Sequence, residues 1–201
     1  MLAGAAVLVS AVACSSGDGA GDGPAAGATT GSPAAAGAGG SATPTPASTP
    51  QLPRGCEGLL PFTDLDRALG RPLFGESRYV RGVAEPSIGR TGRVTCQYGL
   101  AKNGRGAAPV EVGVSTYRDA ESATRRVAAT IAALRGAGAT SQSPATVAGQ
   151  PATVLGDRTS FTAVLALGDR TIAVTVLRSL GGHPDKAVVA VAETVAANWT
   201  G

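Results

Sequence analysis

Aromatic residues are scarce in this 201-residue chain, which carries one Trp, three Tyr and three Phe, so any core it builds must be aliphatic. Histidine occurs once, as His183, and no two cysteines lie close together, so zinc-type ligand spacing is absent. No apolar run approaches the roughly twenty residues needed to cross a bilayer. There is no Gly-x-Ser-x-Gly elbow, no Ser-x-x-Lys, no phosphate loop and no dinucleotide fingerprint. Together these absences remove the familiar signatures of nucleophilic hydrolases, nucleotide-dependent enzymes and zinc proteins, and neither a cofactor nor a metal is expected. Basic residues are also missing from the early chain, the first being Arg54.

What stands at the start is a short apolar run, Leu2 to Ala13, closed by Cys14 and followed by Ser15 and Ser16. Small residues ahead of a lone cysteine are the layout of a bacterial lipoprotein signal. The apolar stretch engages the export machinery, the small residues fit the peptidase, and the thiol receives diacylglycerol. The expectation is a signal peptide over 1–13 and a palmitate-bearing lipid anchor at Cys14, on the outer face of the cell membrane. Secretory signals open with a basic segment, so the true start is expected upstream of Met1. Ala11 stands where lipoprotein signals usually carry Leu or Val. The competing reading is a plain secretory signal in which Cys14 is incidental.

From Ser15 to Arg54 all but five residues are Ala, Gly, Ser, Thr or Pro, a composition that buries too little apolar area to offset ordering entropy. Residues 14–54 therefore read as the lipidated cysteine and a disordered tether. Forty residues of Gly-rich chain reach about 35 Å on average. The Thr43 to Pro50 stretch is stiffer, and such Thr/Pro stalks are either glycosylated or bare spacers.

Residues 55–201 remain for one globular domain, long enough to bury its own core. It holds two cysteines, Cys56 and Cys96. An even pair in an exported domain is expected to form a disulfide, with free or metal-binding thiols as the alternative.

A capping box at Thr63 and Asp66 predicts a short helix over 64–69, stopped at Gly70. Residues 71–91, punctuated by Gly75, Gly82, Pro86 and Gly89, read as irregular. Strands are expected over 94–100 and 109–117, and a helix from Asp119 carrying Ala120, Ala123, Val127, Ile131 and Leu134 on one stripe, with Arg125, Arg126 and Arg135 mostly off it. A broken segment over 146–154 precedes a hairpin of 160–167 with 171–177, turned at Gly168-Asp169. A last helix opens at Pro184. The fold class is α+β, a single mostly antiparallel sheet with helices packed on one face, in the order α-β-β-α-β-β-β-α.

Cys56-Glu-Gly-Leu-Leu60, a short helix ending Ala68-Leu-Gly70, and Cys96-Gln-Tyr98 forty residues after the first cysteine resemble the domain-of-unknown-function lipoproteins of actinobacteria. The fold of that group is similar to the extracytoplasmic sensor domain of a mycobacterial serine/threonine kinase. Gly55 and Tyr98 stand where members often have Asp-Pro and Trp. The resemblance implies a disulfide-tied envelope module with no established enzymatic role.

His183 stands before Pro184, where a capping or turn role competes with general-base chemistry. Asp64 and Asp66 lie in a first helical turn, where carboxylates answer the helix dipole as readily as they pair for catalysis. Asn198-Trp-Thr200 matches a glycosylation acceptor by accident. The formal charge is +3, yet Arg71, Arg78, Arg81, Arg90, Arg93, Lys102 and Arg105 crowd one stretch against Glu76 and Glu85. That candidate anion-binding patch would suit phospholipid headgroups, a phosphorylated envelope polymer or an acidic protein.

Nucleic acid is not an expected partner of an exported domain, and the oligomeric state is open. The favoured reading is a non-catalytic interaction or sensing module. A carrier for a lipid or small hydrophobic ligand is the alternative, with a cavity lined by Leu165, Leu167, Ile172, Val127 and Ile131. A cell-wall enzyme using Asp64, Asp66, Glu76 or Glu85 is the distant third.

Overall fold

The computed structural model describes residues 51–103 and 106–200; Cys14, most of the tether and Arg105 lie outside the described residues. In chain order the elements are α1 (Phe62–Leu69), β1 (Glu76–Gly82), β2 (Arg90–Leu100), β3 (Val110–Tyr117), α2 (Ala120–Gly136), β4 (Ser141–Val147), β5 (Gln150–Gly156), β6 (Ser160–Leu167), β7 (Arg170–Leu177) and α3 (Pro184–Thr200). The strands form one sheet ordered β1-β2-β3-β7-β6-β5-β4, antiparallel throughout. The α+β class and the succession of helix, strands, helix, strands, helix follow the expectation. Each run of strands holds one more than the sequence pattern displayed.

The two additional strands are the sheet's edges, and that is why periodicity missed them. β1 is exposed at most positions, so no apolar alternation marks it. β4 is equally exposed and carries Pro144, a residue that an edge tolerates because no ladder donor is needed there. β4 turns into β5 through Ala148-Gly149, both at positive φ (49° and 72°), the geometry that two-residue hairpins prefer. Alanine is an uncommon choice for that conformation. The Glu193 carboxylate of α3 accepts the Ala148 N–H at 2.8 Å and helps hold the turn in place.

The sheet has two differently used faces. Val94, Cys96 and Tyr98 of β2, Val112 and Val114 of β3, and Ile172 and Val174 of β7 point to one face, where Val188, Val191, Ala192 and Val195 of α3 complete the core. Helix α1 packs on α3 and adds Leu65. Helix α2 lies on the opposite face, against Gly113, Val164 and Ala173. This corrects the expectation of helices on one face. Only Ser122 and Ala123 of α2 are fully buried, while Val127, Ile131 and Leu134 are half-buried, so its shallow stripe gave no sign of which face it would take.

Two local expectations also change. The capping box at α1 does not form: Pro61 is the N-cap and contributes no side-chain bond. Asp66 instead accepts the backbone N–H of Leu73 at 2.7 Å. At the other end of the sequence boundary, the domain takes in residues 51–54. Leu52 packs against the core, Tyr79 Oη donates to the Pro53 carbonyl at 2.9 Å, and Trp199 Nε1 donates to that of Gln51 at 3.3 Å. The single apolar side chain of the tether's end supplies the burial that its neighbours lack.

Cys56 and Cys96 form a disulfide with Cα atoms 5.5 Å apart. It ties the segment before α1 to the centre of β2, where Cys96 is fully buried.

Candidate functional site

Residues three apart in a regular strand point to opposite faces, because side chains alternate with period two. Arg90 and Arg93 nevertheless share a face. Arg90 is opposite Tyr117 and Arg93 opposite Ser115, two residues of β3 with the same orientation, and the register shifts between Arg90 and Gly92. A one-residue bulge of this kind re-aims a side chain, and here it turns Arg90 toward α2.

Helix α2 is seated over that bulge by its own N-terminus. The N-cap Asp119 accepts the Ser122 N–H at 2.6 Å, a bond that, ahead of the hydroxyl of Ser122 and the adjacent Arg118, holds the Asp119 carboxyl below the usual range. Gly89 has φ 73°, and a Cβ there would lie 2.8 Å from Ser122 Oγ. Glycine thus permits the helix to sit directly on the loop before β2, where the Arg118 N–H also donates to the Gly89 carbonyl at 2.9 Å.

Under the helix, Arg90, Arg93 and Arg126 line one small pocket of about 80 Å³ with Ser115, Tyr117 and Thr171. Arg90 is fixed from two sides. Its backbone exchanges hydrogen bonds with Glu85 (2.8 and 3.1 Å), and its Nη2 meets Glu85 Oε2 at 2.7 Å. Its Nε is buried with no acceptor. Arg93 lies low on the sheet, with Nη2 3.8 Å from where a Cβ on Gly113 would be, a mid-strand glycine that marks a close approach. Glu111, the acidic residue of β3 on this face, accepts from Gln97 Nε2 at 2.9 Å. Beside the pocket, Arg118 pairs with Asp119 and Arg125 with Glu121.

The six described residues of the expected basic patch do not form one surface. Arg90 and Arg93 meet under α2, and Arg78 lies farther along the same face of the sheet, opposite Gln97. Arg81 is opposite Val94 and so lies on the other face, where it lines a cleft with Leu52 and Arg54. Arg71 is at the far end of α1, donating to the Leu180 carbonyl. Lys102 is exposed in the turn after β2. A stretch of chain that zigzags through an edge strand, a loop and a central strand distributes its charges over both faces. Arg126, which sequence reasoning set off the buried stripe of α2, is the third member instead. Its position next to Val127 and one turn before Thr130 was the available signal.

The other candidate residues take separate structural duties. Asp64 pairs with Arg67 at 2.8 Å. The His183 carbonyl accepts the N–H groups of Lys186 and Ala187 at the start of α3. His183 also lines a groove of about 460 Å³ between α1 and α3. Among the described residues no group of three His, Cys, Asp or Glu side chains could hold a metal ion, and no helix is long and apolar enough to cross a membrane.

The chain is similar to the extracellular domain of PknH from Mycobacterium tuberculosis, with a TM-score of 0.47 and 11% sequence identity, over 73% of this chain and 95% of that one. No family model matches the chain, and no curated protein matches it.

Proposed function

We propose that this protein is a lipid-anchored extracytoplasmic module that recognises a component of the cell envelope without chemical turnover. The observation that carries the reading is the gathering of Arg90, Arg93 and Arg126 under α2 by a strand bulge. Recognition by clustered charge fits that arrangement better than acid–base chemistry does, since Asp64, Asp66 and Glu85 are each engaged by a separate partner. The leader that ends at Cys14, the Ala/Gly/Ser/Thr/Pro tether and the short cysteine motifs resembling actinobacterial lipoproteins support the placement at the outer face of the membrane.

The carrier reading loses its expected cavity. Leu165 and Ile172 are fully buried in the core on the α3 side of the sheet, whereas Val127 faces the pocket under α2. A sheet lies between them, so these residues cannot line one space.

The test is mass spectrometry of the protein extracted from its own membranes in mild detergent, with chemical cross-linking before extraction. The denatured mass is expected to show acylation at Cys14, the cross-linked sample an envelope partner, and Cys14→Ser is expected to release the protein to the medium. An unmodified mass with no cross-linked species would overturn the reading. A small ligand retained only in the native spectrum would favour a carrier instead.

A further inference from the structure

We infer that the pocket between β2, β3 and α2 is a binding site for one phosphate-type oxyanion, held by Arg90, Arg93 and Arg126. The inference rests on the reading of the domain as a recognition module and names the chemical group that the module takes.

Charge is the first argument. Among the described residues, three arginines line one half-buried site with a single carboxylate partner, Glu85. Among the described residues Arg93 and Arg126 have no ion pair, and Arg90 Nε is buried without an acceptor. Cations taken partly out of water without counter-charges destabilise a fold, so the arrangement is matched only when an anion fills it. Geometry is the second argument. A guanidinium presents a rigid fork of donors that suits the oxygens of phosphate, and the hydroxyl-bearing residues Ser115, Thr171 and Tyr117 line the same space.

Size is the third argument. About 80 Å³ is several times the ~10–15 Å³ that a cavity needs to hold one water. That accommodates one compact oxyanion and excludes an acyl chain. The ligand must therefore offer its phosphate as a terminal group, either from a lipid headgroup or from a soluble or polymeric phosphomonoester.

Isothermal titration of the full chain with inorganic phosphate at low salt tests the site. A saturable one-to-one heat is expected. Arg93→Gln and Arg126→Gln should each weaken it at least tenfold and raise the melting temperature of the unliganded protein, because a repulsive neighbour is gone. Arg93→Lys, which keeps the charge and loses the fork, should fall between them and the parent. Arg71→Gln and Lys102→Gln should leave the affinity unchanged.

Two further probes separate the sources. Binding of glycerol 1-phosphate without binding to vesicles assigns a soluble or polymeric ester. Binding to phosphatidylcholine vesicles that contain phosphatidic acid, displaced by inorganic phosphate, assigns a headgroup. No saturable phosphate heat, or equal losses in the Arg71→Gln and Lys102→Gln controls, would overturn the site. If that happens while the cross-linked envelope partner persists, the recognition reading stands and only the pocket falls. Phosphate binding by a chain that is neither acylated nor cross-linked would have the opposite meaning.

Discussion

Leu52 Cδ1 occupies the place where Gly92 would carry a side chain, 2.5 Å from the position of its Cβ. The first residues of the domain are thereby docked onto β2 beside the bulge. Gly92→Ala should expel Leu52 and destabilise the domain by about 1–3 kcal/mol, the usual cost of overpacking. Leu52→Ala in the same chain should recover part of that loss. Urea denaturation of both single variants and the double variant checks the coupling; strictly additive losses would show that the two residues do not share this space.

Tyr98 is fully buried, with its ring edge-on to Phe62 at 5.7 Å and its Oη donating to the Cys56 carbonyl at 3.1 Å. Burial, helped by the nearby Glu57 charge, pushes its ionisation well above the ordinary tyrosine range. The native state then keeps a proton that the unfolded chain begins to release near pH 10. The stability it contributes is complete below that pH and declines as pH rises through the alkaline range. Tyr98→Phe should cost about 1 kcal/mol at neutral pH and flatten the alkaline limb of stability measured by denaturant titration. An alkaline limb unchanged from the parent would assign it to other groups.

Asp157 organises the turn between β5 and β6. Its carboxylate accepts the N–H of Thr159 at 2.6 Å and of Ser160 at 2.8 Å, and the Ser160 hydroxyl at 3.0 Å. Those bonds, the Thr159 N–H foremost, lower its pKa to about 2. The folded value lies below the unfolded one near 3.9, so its contribution is present above pH ~3.9 and is lost as pH falls toward 2. Asp157→Asn should remove that dependence and leave a shallower acid limb between those values, read by thermal melts across the window. An acid limb as steep as the parent's would exclude Asp157 as its source.

The interior of the fold was far more legible than its margins. Val110, Val112 and Val114 alternate because β3 has one face in the core, and Gly168-Asp169 reads as a turn because glycine supplies the positive φ. β1 and β4 wrote no such pattern, since both strands are exposed at most of their positions. The side of the sheet taken by α2 depends on packing between distant segments, which no window of sequence contains. The candidate site was half visible for a related reason. Arg90 and Arg93 were recognisable as basic residues, but strand period alone sends them apart, and only the bulge between Arg90 and Gly92 reunites them. Arg126 joins them from a helix that the strand pattern cannot locate.

The Cys56–Cys96 disulfide closes a separation of 40 residues, for which the chain-entropy model gives a stabilisation of roughly 4 kcal/mol. Both cysteines are buried in the same core cluster as Tyr98, so the bond also holds the Cys56 carbonyl against the tyrosine hydroxyl. Replacing both cysteines with Ala should lower the melting temperature by about 8–16 °C, taking 2–4 °C per kcal/mol for a domain of this size. Part of that loss should disappear when Tyr98→Phe is already present, because the bond no longer positions a hydrogen-bond acceptor. A full and undiminished loss in the Tyr98→Phe background would mean that the disulfide acts on the unfolded chain alone, and that Tyr98 is held by its packing against Phe62.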